Sequence, residues 1–290
     1  MASISQVFLA LLYPWFFLLY SLAHIPLTIL HLIRTHTLLA TLRHPSSFQS
    51  AWFGTFWATV GPGIRTVAEE HVIPLLEGSV VAGKVVQSDG VDGQQRGVYG
   101  TILEVGPGSG MWVPLFARLH SSSGGGRITR IYGVEPNPDV RPTLKQNVAA
   151  AGLQDIYEVV PLGVEDLAAS GRVAKESVDC IVSVMCLCGI PDPEFNIKEM
   201  YGYLKPGGRW FVYEHVKCGS ERIRERGLFM RAYQRLVNIF WPRLVGGCEL
   251  CRNTPKMLKE AGSWTKIDLE QPGSEPWYHP LPHILGTLTK

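Results

Sequence analysis

Hydrophobic and polar positions fall into three regimes along the 290-residue chain. From Ile4 to Ile33 no side chain is charged, and Val7 to Tyr20 is almost continuously apolar. From Phe48 to Trp57 the aromatic residues Trp52, Phe53, Phe56 and Trp57 recur at i, i+1, i+4 and i+5, which puts them on one face of a helix. From Thr101 onward, short apolar runs alternate with helix-like ones. The strand-like runs are Thr101–Leu103, Ile128–Val134, Ile156–Leu162, Val178–Val184, Arg209–Tyr213, Thr265–Leu269 and His283–Thr289. The helix-like runs are Trp112–Leu119, Asp139–Ala151, Glu194–Tyr203, Arg224–Ile239 and Pro255–Ala261. This alternation predicts an α/β fold, a doubly wound and mainly parallel sheet covered on both faces. Gly61-Pro62-Gly63 is expected to end one helical region before another runs Ile64–Leu76. Gly78–Gly100 reads as an exposed loop with room for a short strand around Val80-Val81 and Val85-Val86, and Ser121–Gly126 as a flexible surface insertion. The expected organisation is an apolar anchor over 1–44, a helical cap and linker over 45–100, and an α/β domain over 101–290.

The first segment is long enough to cross a bilayer, which takes about 20 apolar residues. Tyr13, Trp15 and Tyr20 are side chains that favour the membrane interface. Pro14, His24, Pro26 and His31 interrupt a uniform span and point to a kinked, re-entrant or interfacial segment. Arg34, His36, Arg43 and His44 follow it, and positive charge there favours the cytosolic side. A cleaved signal peptide would need a basic start and a small-residue cleavage site, neither of which is evident. A buried pair of core helices is the other alternative. The aromatic stretch Phe48–Trp57 could rest on a membrane, cover a pocket or pack on the α/β domain.

Composition narrows the class. The formal net charge of +2 gives no pull toward nucleic acid. The six cysteines, Cys180, Cys186, Cys188, Cys218, Cys248 and Cys251, form no disulfide framework and suit a reducing compartment. Cys248 and Cys251 form a CxxC, but zinc sites of that type need a second ligand pair, and Cys186-Leu187-Cys188 has the wrong spacing. Free thiols are therefore expected, and no metal.

The chemistry-bearing motif is Glu104-Val105-Gly106-Pro107-Gly108-Ser109-Gly110, followed after a helix by Tyr132-Gly133-Val134-Glu135. This is a βαβ unit with a bare turn and a carboxylate placed for a ribose diol. The spacing is G-x-G-x-G, and Met111 stands where a dinucleotide fingerprint places its third glycine. No pyrophosphate needs room, so S-adenosyl-L-methionine fits better than NAD. Glu104, Gly106, Gly108, Gly110, Glu135 and Asn137 are the candidate cofactor residues. Asp139 is the expected cap of the next helix, with Glu135-Pro136-Asn137 either part of that cap or the ribose site. Val164 and Glu165 lie in a turn that either meets an adenine or is simply solvated. Met185 and Cys186 follow the fourth strand, where they either line the site or pack. Leu204-Lys205-Pro206-Gly207-Gly208 turns into a strand ending Glu214-His215. His215 is the first candidate base, since a neutral imidazole is available near pH 7, and His283 the second. A hydrogen-bonded structural histidine has the same signature.

These motifs resemble those of class I methyltransferases, and more narrowly the microsomal thiol S-methyltransferases, the methyltransferase-like seven family. Glu135-Pro136-Asn137-Pro138, Gly163-Val164-Glu165-Asp166-Leu167, Trp241-Pro242, Gly247-Cys248-Glu249-Leu250-Cys251-Arg252-Asn253-Thr254 and Pro282-His283-Ile284-Leu285-Gly286 carry the resemblance. It implies a seven-stranded Rossmann-like sheet and methyl transfer to small lipophilic thiols. It also implies an apolar N-terminal anchor in the endoplasmic reticulum or lipid droplets, with the catalytic domain facing the cytosol. Pro107 replaces the family's usual cysteine or alanine, Glu135 its usual aspartate, and the insertions Gly83–Gly97 and Ser121–Gly126 are unlike the animal members. O-, N- or C-methylation of a lipid, quinone or secondary metabolite is the alternative activity. A catalytically silent, membrane-anchored binding protein is the alternative of another class.

Overall fold

A computed structural model describes residues 3–86, 97–122, 127–220 and 227–290. The centres of both expected insertions and the residues around Arg224 lie outside them. The elements run α1 (Ile4–Ala23), α2 (Ile25–Arg34), α3 (Leu38–Leu42), α4 (Pro45–Glu77), β1 (Val80–Val81), β2 (Lys84–Val85), β3 (Gly100–Val105), α5 (Val113–Ser121) and β4 (Ile128–Val134). They continue α6 (Arg141–Ala150), β5 (Tyr157–Val160), α7 (Val164–Ser170), β6 (Val178–Val184), α8 (Pro193–Tyr201), β7 (Leu204–His215), α9 (Gly227–Asn238), α10 (Trp241–Leu244), α11 (Thr254–Glu260), β8 (Lys266–Glu270) and β9 (His283–Thr289).

The main sheet has seven strands in the order β5-β4-β3-β6-β7-β9-β8. β9 is antiparallel to both its neighbours, and the other pairings are parallel. Successive residues along a strand face opposite sides, so each strand feeds two cores. Ile102, Phe211 and Leu285 pack with Val72, Leu75 and Leu76 of α4 and Phe116 of α5. Leu103, Trp210 and Ile284 pack with Ile197 and Met200 of α8 and Leu258 of α11. The chain leaves β3 toward β4 on one side and later returns to its other side as β6. The crevice at the carboxyl end of β3 is therefore the topological switch point, where open α/β sheets bind ligands.

Three local expectations are corrected. Gly61-Pro62-Gly63 does not end a helix, because α4 runs unbroken through both Pro62 and Pro74. An interior proline costs about 3 kcal/mol, and here Trp52 and Phe56 before it and Ala68, Val72 and Leu75 after it are all buried and keep both halves on one axis. Asp139 is not the cap of α6, which begins two residues later than expected behind Val140. The Asn137 side chain instead accepts the Asp139 N–H at 3.0 Å, holding that segment as a turn. Val164 and Glu165 are not in a turn either. They form the first turn of α7, with Gly163 at its N-cap.

In the N-terminal segment α1 and α2 meet at His24. Pro14, Leu18, Ser21, Thr28 and Leu32 are buried. Their spacing of three, four and seven marks one stripe along both helices. The stripe is fixed by hydrogen bonds from Ser21 Oγ to the Leu244 carbonyl and from Trp52 Nε1 to the Ser21 carbonyl. Phe17 stacks on Trp241 with ring centroids 5.3 Å apart. Phe8, Leu9, Phe16, Leu19, Leu27 and Ile33 on the remaining faces are exposed.

Candidate active site

The site is built from the switch point outward. In the turn after β3, Gly106, Gly108 and Gly110 all have φ between +58° and +88°, which L side chains rarely adopt. A Cβ on Gly106 would stand 2.3 Å from Cys186 Sγ, whereas one on Gly108 would meet open space. The turn thus presents bare backbone to a cavity. Gly110 does not line that cavity. It lets α6 approach, since a Cβ there would lie 2.9 Å from Leu144 Cδ1.

Two carboxylates flank the turn. Glu135 is buried, and accepts the Gly108 N–H at 2.8 Å on one oxygen and the Asn137 N–H at 2.9 Å on the other. Each oxygen keeps a second lone pair for a hydroxyl. Burial raises its pKa against the pull of those two N–H groups and Arg141. Glu104 is buried and accepts the Tyr157 hydroxyl at 2.5 Å. Burial lifts it to about 7, opposed by that hydrogen bond and assisted by Glu135. Gly133 makes the contact possible, because a Cβ there would sit 2.3 Å from the Tyr157 oxygen. Tyr157 was not singled out in the sequence, where it reads as one more apolar strand residue.

The opposite side holds sulfur and imidazole. Met185 follows β6 in the left-handed region at φ 51° and donates its N–H to the Tyr213 carbonyl at 2.8 Å. The chain then turns over Glu214, which is fully buried and accepts the N–H groups of Cys186 and Leu187 at 3.0 Å each. Burial lifts Glu214 to about 7, opposed by those N–H groups. Cross-strand pairing sets His215 of β7 opposite His283 of β9, with ring centroids 4.5 Å apart. His283 also stacks on Tyr213. Its Nδ1 meets Glu275 Oε1 at 2.5 Å. Burial lowers His283 to about 4 despite Glu275, while His283 outweighs burial to hold Glu275 near 2. Nδ1 of His215 lies 3.8 Å from Cys248 Sγ. Cys248, hydrogen-bonded by Cys188 and then His215, is held well below the thiol range, and Cys188 is pushed up in turn. Burial pulls His215 down, but Cys248 outweighs it and raises the ring.

One cavity of about 670 Å³ joins the two sides, within the roughly 300–1,000 Å³ of small-molecule sites. Glu104, Gly106, Gly108, Glu135, Asn137, Val164, Glu165, Met185, His215 and His283 all line it. Of the candidate residues only Gly110 does not. Phe17 of α1, Phe53 of α4, Trp241 and Cys248 pack in one cluster with Cys188 along the cavity, and Tyr13 and Trp57 line it too. Around Cys248 of the CxxC, the donor atoms of Cys188 and His215 lie within 4.8 Å. All six cysteines are free thiols.

Residues 103–212 match the model of the methyltransferase domain family. Over 192 residues the chain is 31% identical to thiol S-methyltransferase TMT1B of Rattus norvegicus, covering 66% of this chain and 70% of that protein. The chain belongs to the thiol S-methyltransferase family. Thiol S-methyltransferase TMT1A of Homo sapiens is 29% identical over 191 residues, with 66% of this chain and 70% of that protein covered. Among solved structures, the [4+2]-cyclase SpnF superposes with a TM-score of 0.51 at 17% identity, covering 83% of this chain and 96% of the cyclase, a likeness of fold. The protein is an S-adenosylmethionine-dependent methyltransferase with the class I fold. Its cavity fits that methyl donor. The donor is cationic at its sulfonium, the near wall carries the buried carboxylates Glu104 and Glu135, and the glycine backbone leaves room beside them.

Proposed function

We propose that this methyltransferase is membrane-associated and transfers the methyl group to the sulfur of a small lipophilic thiol. The carrying observation is the continuity of the cavity from the Glu104–Glu135 wall to an aromatic end formed partly by Tyr13 and Phe17 of the apolar N-terminal helix. An acceptor reaching that end passes α1 and α2, whose outer faces suit a bilayer better than water. Ile4–Arg34 is long and apolar enough to cross a membrane, and the stripe packed on α10 favours a helix pair lying in the interface. The family relatives named for thiols support the acceptor class. Placement at the endoplasmic reticulum or lipid droplets, with the catalytic domain toward the cytosol, accords with Arg34 and Arg43 just beyond the apolar run.

When bound, S-adenosylmethionine supplies an electrophilic methyl on a sulfonium sulfur. The chain's residues divide the remaining work. Gly106 and Gly108 give close backbone approach and Glu104 balances positive charge. Glu135 holds ribose hydroxyls, with Asn137 fixing its carboxylate, while Val164, Glu165 and Met185 flank the base. Phe17, Trp57 and Trp241 exclude water from the acceptor, which then reacts at attack distance in a dry site. The acceptor must lose its S–H proton. His283 is placed to take it: burial keeps its ring neutral near pH 7, Glu275 fixes it through Nδ1, and Nε2 is left for the proton. His215 turns Nδ1 to Cys248 instead. With the methyl group supplied by the bound donor, these residues would hold the acceptor's lone pair in line with it and keep water out.

Incubating the full chain in vesicles with S-adenosylmethionine and an equimolar panel of lipophilic thiols, phenols, amines and quinones tests the acceptor. Methylated thiols alone are expected by mass spectrometry, and products at oxygen, nitrogen or carbon with thiols untouched overturn it. His283→Ala should lower turnover by about 10²–10⁴-fold with donor affinity retained, and near-normal turnover at saturating thiol would remove the base assignment.

A further inference from the structure

Three soft donors converge at the acceptor end of the cavity. Cys188 Sγ, His215 Nδ1 or Nε2 and Cys248 Sγ lie within 4.8 Å of one another. They come from three separate segments, the loop after β6, the end of β7 and the loop after α10. Each segment is pinned. The Glu249 N–H donates to the Cys188 carbonyl at 2.9 Å. Arg252 holds the carbonyls of Leu187 and Ile190 at 2.7 Å each. Asn238 accepts the Leu250 N–H and donates to Glu249, both at 2.7 Å. Such supporting hydrogen bonds are what orients metal ligands in advance.

We propose that Cys188, His215 and Cys248 form a zinc site whose fourth position receives the acceptor's sulfur. The donor set selects the metal, since two thiolates and an imidazole in a compact, non-planar group suit zinc. Bond lengths of about 2.3 Å to sulfur and 2.0–2.1 Å to nitrogen place tetrahedral ligands roughly 3.4–3.8 Å apart, close to the 3.8 Å between His215 Nδ1 and Cys248 Sγ. Two thiolates cancel the ion's double charge, so the site adds no net charge to an apolar cavity. Three protein ligands leave a tetrahedral ion one open position, the arrangement of catalytic rather than structural zinc. The three ligands line the same cavity as the glycine turn, so the open position belongs to the acceptor.

The chemistry closes without a redox step. On coordination the acceptor thiol gives up its proton, because a metal-bound thiol is deprotonated outright, and that proton passes through His283 to solvent. The bound sulfur keeps a lone pair for the methyl group. The product is a neutral thioether, a weaker ligand than a thiolate, and it leaves. The Glu275–His279–His283 group beside it also brings three potential ligand atoms together, but a hydrogen bond between Glu275 Oε1 and His283 Nδ1 already occupies two of them.

This inference rests on the thiol reading for the acceptor but not for the metal. Elemental analysis of the full chain, purified without chelators, is expected to give one zinc per chain, falling several-fold in Cys188→Ser and Cys248→Ser. Cobalt-substituted wild-type protein should show the visible bands of a tetrahedral thiolate site, and these should shift when a small lipophilic thiol is added. Zinc and cobalt spectra absent from protein that still binds S-adenosylmethionine overturn the site, as does a Cys188–Cys248 disulfide in anaerobically prepared protein. Cobalt bands insensitive to thiol overturn the open position. Thiol methylation by zinc-free protein overturns this inference and leaves the acceptor assignment standing. A metal site with methylation only of phenols or amines overturns the acceptor assignment and the role of the open position, and leaves the metal site standing.

Discussion

At the scale of single residues, Glu104 carries the sharpest pH dependence. Burial raises it to about 7 in the protein without donor, so the folded chain holds a proton that the unfolded chain releases near the usual carboxylate range. Between those two values the folded state binds more protons, and stability falls as pH rises through the window. A cationic ligand favours the ionised form and therefore competes with that proton. Donor affinity measured by calorimetry should strengthen from pH 6 to above pH 7 and then level off. Glu104→Gln should bind more weakly at pH 8 and lose the dependence. Gly106 admits no side chain, being left-handed and 2.3 Å from Cys186 Sγ at a built Cβ. Gly106→Ala should weaken donor binding at least about tenfold, equivalent to about 1.4 kcal/mol. Wild-type affinity in that variant would show that the turn can relax.

At the scale of elements, the N-terminal helix belongs to the site. Phe17 of α1 stacks on Trp241 and meets Phe56 of α4 edge-on at 5.1 Å, and all three helices meet at the acceptor end. Phe17→Ala should raise the acceptor KM several-fold while leaving the donor dissociation constant unchanged, as read by steady-state kinetics beside calorimetry. An equal loss on both ligands would mean that the substitution disturbs the whole cavity. The long α4 shows why a strong local signal can mislead. Gly61-Pro62-Gly63 is a break by local propensity, but burial on both sides of Pro62 decides for continuity. The glycine turn, by contrast, was legible because positive φ at close approach is a backbone requirement that only glycine meets cheaply.

At the scale of the whole molecule, one apolar surface extends beyond the helix pair. Trp15 of α1 meets Phe240 with centroids 6.0 Å apart. Phe229, Leu236, Ile239 and Phe240, on or just after α9, are exposed. The surface thus runs from α1 to α9 beside the acceptor end of the cavity. Replacing exposed Phe8 and Phe16 by Ser should weaken flotation with lipid vesicles, leaving donor affinity and melting temperature near wild type. Unchanged flotation would move the membrane contact elsewhere.

The sequence by itself determined the α/β alternation, the donor turn and the carboxylate after the second strand, because these depend on local periodicity and on short-range backbone demands. It also carried the length and apolarity of the N-terminal segment. Only the tertiary structure decided which distant residues meet. The antiparallel register of β7 and β9 sets His215 against His283, and no local pattern encodes a register between strands so far apart in the chain. Tyr157 reaches Glu104 only because Gly133 lies between them on the intervening strand. The free thiols expected from the CxxC are found, but sequence spacing could not show that folding through the Glu214 turn brings Cys188 and His215 to Cys248. Strand pairing and packed loops, which are long-range, chose the chemistry at the acceptor end.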